Sequence, residues 1–303
     1  MATASKMPKV QIDIPEIYPN LNHIFGVPKD FVKDFLMHME MAGAFYHMGV
    51  EPDKTFLIYG PPGNGKSMAM KVINNEANKK VSLVDRLDSS KFNLVSMAYD
   101  IGKYGTAYVN EGSRIIQQFF NFSYRLAQTK QVLLVLDECD ALFRSRTSAI
   151  QTHSEDMKNL ETLMKNLQTA HDTENLYVAL MTNLDEILDK AAIRSGRIDK
   201  KIKFDLPDEE QRQNAFNREI NQVNRSVDYK VIRKYSVEQL AENSEGLNYA
   251  DIHNTVHASV KRRIEEIFND NTTKIYISPY ITKKYLLQSI EDIKPKDKTK
   301  IGF

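Results

Sequence analysis

The sequence is poor in cysteine and contains no long apolar run. Its one cysteine, Cys139, excludes an intramolecular disulfide framework and suits a reducing compartment. A membrane-spanning helix needs about 18 consecutive apolar residues, and no such stretch is present. Residues 1–20 also lack the apolar core of a signal peptide. We therefore predict a cytoplasmic protein with no membrane partner.

An excess of charge of either sign is absent as well. Lysine and arginine number 41, and aspartate and glutamate number 40, so no overall attraction to nucleic acid or to a membrane surface is expected. No internal repeat or extended low-complexity tract is visible. The 303 residues suffice for one large or two modest domains. A content of 42% hydrophobic and 27% charged residues is typical of a soluble globular protein.

The most informative stretch that is present is KTFLIYGPPGNGKSMAMKVI, Lys54–Ile73. A short β-prone run precedes a glycine-rich loop, and apolar residues from Met68 onward recur with helical spacing. The loop has the pattern G-x-x-x-x-G-K-[ST] between a strand and a helix, which is the context that this phosphate-binding motif requires. Backbone N–H groups at a helix N-terminus attract anions. The predicted nucleotide-binding residues of the loop are Gly60, Pro61, Pro62, Gly63, Asn64, Gly65, Lys66, Ser67 and Met68.

Two residues of the loop and two later acids have predicted roles in catalysis. Lys66 would reach the β- and γ-phosphates of a nucleotide, and the Ser67 hydroxyl would be a ligand of Mg²⁺. The run KQVLLVLDECDAL ends in acids, and its apolar part is typical of a strand buried on both faces. At its carboxyl end, Asp137 would hold Mg²⁺ and Glu138 would polarise the attacking water. ATP and Mg²⁺ are the predicted cofactors.

A third apolar run, LYVALMTN, ends in Asn183, which could hydrogen-bond the attacking water or the γ-phosphate. Downstream, AIRSGRID contains Arg194 and Arg197, and a strand-like run KKIKFDL follows. Taken in order, these motifs resemble the AAA+ ATPases, specifically the AAA subfamily with a second region of homology. That subfamily's pattern, T-N-x-x-x-x-[IL]-D-x-A-[IL]-x-R-x-G-R-[FI]-D, is nearly reproduced from Thr182 to Asp199.

The resemblance covers about residues 15–295 and implies an α/β fold. The expected architecture is a P-loop parallel five-stranded αβα sandwich followed by a small α-helical lid domain. The expected divisions are a flexible N-terminal segment at 1–14, a large ATPase domain at 15–206, a helical lid at 207–293 and a basic C-terminal tail at 294–303.

The resemblance also implies that Arg194 and Arg197 act in trans. They would enter the nucleotide site of a neighbouring subunit, where Arg194 matches the main arginine finger. Such a site demands a head-to-tail contact that closes into a homo-oligomeric ring, usually a hexamer in this family.

Two short segments are implied to contact the adenine. One is Phe25–Gly26 in HIFGV, and the other is Tyr249–Ala250 in a stretch that resembles the sensor-2 helix of the family. Tyr249 replaces a glycine that the family usually has there. Later in this helix, His253 and His257 are four residues apart, as metal ligands can be. The stretch HNTVH lacks the glutamate of H-E-x-x-H and shows no third ligand, so we do not predict a metal site there.

The stretch IGKYGTAYVNEGSRI aligns with the pore loop of the family, with Tyr108 and Val109 as its aromatic-hydrophobic pair. An aromatic side chain can grip an unfolded chain through apolar contact without demanding a sequence. The leading prediction is therefore a ring that remodels or unfolds a protein client through a central pore. Only some fourteen residues precede the module, so target choice is expected to use an adaptor, a protease partner or a surface such as the long connection at 76–91.

Two alternatives remain open. A nucleic-acid motor or loader would need a basic pore loop, whereas Lys103 and Arg114 are the only basic residues near Tyr108 in the sequence. Nucleic acid is therefore the weaker candidate. An assembly ATPase that acts on one folded partner is the other alternative, and the identity of the bound partner would distinguish it.

Overall fold

The computed structural model describes residues 29–84, 94–100, 112–140, 153–183, 197–227, 230–269 and 280–294. Residue contacts divide the chain into two compact units. The first is made of residues up to 61 and of 66–204, and the second is made of residues 62–65 and of those from 205 onward. The predicted N-terminal segment, residues 1–14, lies outside the described residues.

The first unit is built on a sheet of five parallel strands. The strands are β1 (Thr55–Tyr59), β2 (Val95–Asp100), β3 (Val132–Asp137), β4 (Leu176–Thr182) and β5 (Lys200–Lys203). Their order across the sheet is β2-β3-β4-β1-β5. The central strands β3 and β4 are buried almost throughout, which explains why their sequences are continuous apolar runs. The predicted parallel five-stranded fold is confirmed.

Helices cover both faces of this sheet. They are α1 (Lys29–Glu40), α2 (Ala42–His47), α3 (Lys66–Val84), α4 (Gly112–Ala127) and α5 (His153–His171). Phe35 of α1 and Ile73 of α3 belong to the core on one face, and Phe120 of α4 and Leu163 of α5 belong to the core on the other. Four apolar residues at helical spacing in α1 are all buried: Phe31, Phe35, Leu36 and Met39.

The parallel arrangement places the carboxyl ends of β1, β3 and β4 at one edge of the sheet, called here the carboxyl edge. Tyr59, the last residue of β1, pairs with Thr182, the last residue of β4. The glycine-rich loop, the acids that end β3 and Asn183 therefore start from the same edge, where ligands bind in open α/β sheets. The opposite, amino edge contains the start of β1, where Asp199 N donates to Thr55 O at 2.9 Å.

The second unit is helical, as predicted for the residues after Pro207. Its helices are α6 (Glu209–Arg225), α7 (Val237–Asn243), α8 (Tyr249–Asn269) and α9 (Lys283–Ile293). Their shared apolar core includes Phe216, Ile220, Leu240, Val256, Leu286 and Ile290. A capping box between Asp208 and Gln211 begins α6. Within the described ranges, none of the helices combines the length and apolar content that a bilayer crossing requires.

Candidate nucleotide-hydrolysis site

Lys66, the first residue of α3, is held at the carboxyl edge by oxygen atoms from two segments. Its Nζ donates to Gly60 O at 2.7 Å and to Pro61 O at 2.9 Å. It also donates to Asn183 Oδ1 at 2.8 Å. The lysine side chain is buried. The structure thus brings together Lys66 and Asn183, two residues that the sequence placed separately near the phosphates.

Ser67 and Asp137, the residues predicted for Mg²⁺, also meet at this edge. Ser67 Oγ donates to Asp137 Oδ2 at 3.3 Å. Mg²⁺ forms octahedral bonds of about 2.1 Å to oxygen, so adjacent ligands lie about 3 Å apart. The other carboxylate oxygen of Asp137 accepts from Glu138 N at 2.8 Å, which orients the group. A hydroxyl and a carboxylate at this separation fit the ion.

Glu138 follows directly and has an unusual backbone. Its φ is 54°, in the left-handed region that few residues other than glycine occupy. Such a conformation costs about 1–3 kcal/mol and persists where the surrounding structure enforces it, often at functional sites. The residue is exposed at the end of β3. Its position beside Asp137 suits the predicted activation of water.

Asp140 is a site residue that the sequence analysis did not single out. It is 6% exposed, and its Oδ1 accepts hydrogen bonds from Thr182 Oγ1 and, at 2.8 Å, from Asn183 N. Its Oδ2 lies 3.4 Å from Asn183 Nδ2. These contacts fix Asn183, which in turn accepts from Lys66. The only signal in the sequence was the third acid of DECD, which an acidic turn after a strand would equally explain.

Cys139 lies between these acids and is fully buried, with its Sγ donating to Leu136 O at 3.2 Å. Burial raises the pKa of its thiol, and the nearby carboxylates of Asp137 and Asp140 act in the same direction. Both effects keep the thiol protonated. Cys139 is therefore a buried packing residue of the core.

The loop between β1 and α3 has one feature that close packing explains and one that a bound phosphate group would explain. Gly60 has a φ of 134°, and a Cβ there would lie 2.1 Å from Phe204 O, so only glycine fits. Asn64 is 1% exposed, yet neither polar atom of its amide finds a hydrogen-bond partner among the described residues. Buried polar groups without partners are rare, and a ligand is one explanation for them.

The second unit contains the described part of the predicted adenine contacts. Asp251 N donates to Asn248 Oδ1 at 2.8 Å and Asn248 N donates to Asp251 Oδ2 at 3.1 Å, a capping box that begins α8. Ala250 N donates to Gly63 O at 3.2 Å. The hydroxyl of Tyr249 is buried without a hydrogen-bond partner in the described ranges, and burial raises its pKa to about 12.

Arg197 lies at the amino edge, far from the residues above. It precedes β5, and Asp199 ties this segment to the start of β1 by accepting from Lys54 N and Thr55 N, both at 2.8 Å. β1 has five residues, so its first and last Cα atoms are about 13 Å apart. The Nε of Arg197 is buried and has no hydrogen-bond partner in the part of the chain that the structure describes. The first unit therefore does not bring Arg197 to Lys66.

Some predicted site residues cannot be compared with the structure. They fall in segments outside the described residues, namely the ranges 1–28, 101–111 and 184–196. These residues are Phe25, Gly26, Tyr108, Val109 and Arg194. Their roles stay predictions.

Comparison with known proteins points to the same family as the motifs. Residues 56–206 match the sequence model of the ATPase family associated with various cellular activities (AAA). Over 210 residues, the chain is 31% identical to an AAA ATPase forming ring-shaped complexes from Corynebacterium urealyticum, a match that covers 65% of this chain and 37% of that protein. It is 30% identical over 240 residues to a proteasome-activating nucleotidase from Saccharolobus islandicus, covering 79% of this chain and 55% of the relative.

A further AAA ATPase forming ring-shaped complexes, from Corynebacterium glutamicum, is 29% identical over 283 residues, which are 87% of this chain and 51% of that protein. The chain thus spans 37% to 55% of the length of these relatives. The family match extends from β1 past β5 and so includes the residues that meet at the carboxyl edge. The chain belongs to the AAA family of ATPases.

Proposed function

We propose that this chain hydrolyses ATP to ADP and phosphate at the carboxyl edge of its sheet. The observation that carries the proposal is the convergence of Lys66 with Asn183 and of Ser67 with Asp137. The first pair supplies a cation and an amide for the γ-phosphate and the attacking water. The second supplies two oxygen ligands for a magnesium ion, which would neutralise charge that develops on the β- and γ-phosphate oxygens.

When phosphate binds, its negatively charged oxygens would replace uncharged oxygens as hydrogen-bond acceptors of Lys66. Three of the acceptors of Lys66, two backbone carbonyls and an amide oxygen, are uncharged. The Lys66 ammonium already makes charge-assisted hydrogen bonds to these oxygens, and phosphate oxygens add the attraction between opposite charges. The exchange therefore favours nucleotide binding, and it releases the Asn183 oxygen to accept a hydrogen bond from water.

Glu138 is the proposed general base. Its carboxylate would accept a proton from the water that attacks the γ-phosphorus, and Asn183 would orient that water. Asp140 holds Asn183 in place through its backbone N–H. The roles of base, orienting amide and positioning carboxylate thus fall on three side chains at the ends of two neighbouring strands.

The arginine fingers are proposed to act across a subunit interface. Arg197 lies about the length of β1 from Lys66, farther than an arginine side chain reaches. A charge at that place can reach a nucleotide only in another subunit, which requires a head-to-tail contact that closes into a ring. Two of the relatives are named as forming ring-shaped complexes. We propose the same for this chain, as a hexamer, with Arg194 beside Arg197 in the neighbouring site.

The proposed substrate is a protein that the ring unfolds or remodels through its pore, gripped by Tyr108 and Val109. The name of the Saccharolobus relative, a proteasome-activating nucleotidase, supports a protein-directed role. The near balance of 41 basic and 40 acidic residues gives no support to a nucleic-acid substrate. An adaptor or a protease is the expected partner for choosing or degrading clients.

The test of this role uses a client trap. Glu138→Gln should bind ATP without hydrolysing it and so retain its client, which mass spectrometry of the captured complex identifies. The matched control is Glu138→Gln combined with Tyr108→Ala, which should release the client while the ring persists. Tyr108→Ala alone should keep basal ATP hydrolysis and lose client processing.

Other outcomes of the same capture favour the alternatives. Equal retention of the client by both trap variants would overturn the proposal that Tyr108 grips the client in the pore. A retained protein that stays folded would favour the assembly ATPase. Recovery of single-stranded nucleic acid that stimulates hydrolysis would favour a nucleic-acid motor.

A further inference from the structure

Two histidines and a glutamate form a cluster on the surface of the second unit. His253 and His257 lie one turn apart on α8, and Glu219 reaches them from α6. One potential ligand atom from each residue lies within 4.8 Å of the other two. His253 Nδ1 is 2.7 Å from Glu219 Oε2, and the centroids of the two imidazole rings are 4.2 Å apart.

The core of the second unit holds the backbones of this cluster in place. Ile220 of α6 and Ile252 and Val256 of α8 are buried together in that core. Glu219 directly precedes Ile220, and the histidines directly follow the two buried residues of α8. The three side chains therefore lie at the rim of a packed helix pair, where their separation is set by the core.

We propose that Glu219, His253 and His257 bind a zinc ion that links α6 to α8. Two imidazoles and one carboxylate are a ligand set that zinc accepts, with bonds of about 2.0–2.2 Å and a fourth position left to water. Tetrahedral ligands at that distance lie about 3.4 Å apart, so the cluster needs only small side-chain rotations to close on the ion.

The chemistry of the ligands separates this ion from the magnesium proposed at Ser67 and Asp137. Imidazole suits zinc and its neighbours among the transition metals, whereas magnesium takes oxygen ligands. Other described histidines with acidic neighbours differ in composition. His38 lies near two carboxylates and His171 near three, and the described residues supply neither with a second imidazole in its cluster.

The sequence could not reveal this site because the third ligand is distant along the chain. Glu219 and His253 are 34 residues apart, and only the packing of α6 against α8 brings them together. The histidine pair alone, without the glutamate of H-E-x-x-H, gave no basis for a metal site.

The test is zinc binding by the full chain, stripped of metal by a chelator and studied without nucleotide. Titration calorimetry should show one zinc ion per chain with sub-micromolar affinity. Cobalt(II), bound in its place, should show the visible absorption bands of a tetrahedral site. His253→Ala and His257→Ala should each weaken zinc binding at least about 100-fold. Added zinc should also raise the thermal unfolding temperature of the wild type.

Two further variants keep the test decisive. Glu219→Gln preserves side-chain shape and should weaken zinc binding at least about 10-fold. His47→Ala, at an exposed histidine of α2, is the matched control and should bind zinc as the wild type does. Binding that needs millimolar zinc, or that survives in both cluster histidine variants, would overturn the proposal and leave an ordinary histidine–glutamate hydrogen bond.

Discussion

At the scale of single residues, the buried carboxylate of Asp140 sets the position of Asn183. It accepts from the Thr182 hydroxyl and from the Asn183 N–H, and Asn183 in turn accepts from Lys66. A buried carboxylate is costly unless hydrogen bonds satisfy it, and these donors offset that cost. The placement of the amide that would orient water therefore depends on a residue that does not itself touch the nucleotide in the proposed mechanism.

Asp140→Asn should lower kcat for ATP hydrolysis while KM changes little. The amide keeps the size of the carboxylate but has one acceptor oxygen instead of two. Its NH₂ group therefore faces either the Thr182 hydroxyl and the Asn183 N–H or the side-chain NH₂ of Asn183, all of which are donors. Because a misplacement of about 1 Å near a reacting group can reduce the rate about 100-fold, we expect a loss of that order. Steady-state ATPase assays measure it.

The matched control is Asp172→Asn, which removes a carboxylate whose side chain is 72% exposed at the end of α5. It should leave both constants unchanged. An Asp140→Asn variant with unchanged kcat and raised KM would contradict the role of Asp140 in positioning Asn183, because that result would mean that Asp140 contributes to ATP binding instead.

The residues of the site could be predicted from the sequence where the residues that act together are close along the chain. The phosphate loop and the Asp137–Glu138 pair belong to contiguous patterns that a strand, a turn and a helix impose. Asp140 acts on Asn183 across 43 residues, and Asp199 acts on Lys54 across 145. Such contacts follow from the order of strands in the sheet, which local spacing does not reveal.

At the scale of elements, the sequence is most informative for strands and helices that bury a whole face of apolar side chains. β3 and β4 have continuous apolar sequences, and α1 has apolar residues at helical spacing. The residues after α1 form a separate short helix, since α1 ends at Glu40 and α2 begins at Ala42. α2 has no buried residues, so no packed face continues the first helix.

The junction of β1 with the glycine-rich loop supplies a prediction at this scale. Phe204 N donates to Tyr59 O at 2.8 Å, which brings the end of β5 against the loop at Gly60. Gly60→Ala would force a Cβ against the Phe204 carbonyl and strain the backbone. We expect a loss of about 1–3 kcal/mol in unfolding free energy, measured by denaturant titration, together with reduced nucleotide binding.

Gly43→Ala is the matched control, since a Cβ at Gly43 in α2 would meet no atom within 4 Å. It should leave stability unchanged or raise it by up to about 1 kcal/mol, because alanine favours helix more than glycine does. Equal stability of the two variants would show that β5 does not constrain the loop.

At the scale of the whole molecule, the order of motifs along the chain was enough to predict two parts, a parallel sheet with a phosphate loop and a helical region after it. In the proposed function, ATP hydrolysis depends on contacts outside a single copy. Arg197 illustrates this, since it lies at the amino edge and has a buried Nε without a partner among the described residues. A single subunit gives this arginine no route to its own phosphates, so the proposed site is complete only in an assembly.

The most direct test of this composite site is a subunit-mixing measurement of ATP hydrolysis. One variant is Glu138→Gln, and the other combines Arg194→Ala with Arg197→Ala. Each alone should be nearly inactive, the first for lack of a base and the second for lack of fingers worth about 10³–10⁵ in rate. In rings mixed one to one, random assembly gives about a quarter of the sites an intact base and an intact neighbouring finger pair. Hydrolysis should then recover to a corresponding fraction of the wild-type rate, with native mass spectrometry confirming mixed rings. No recovery in such rings would contradict the account.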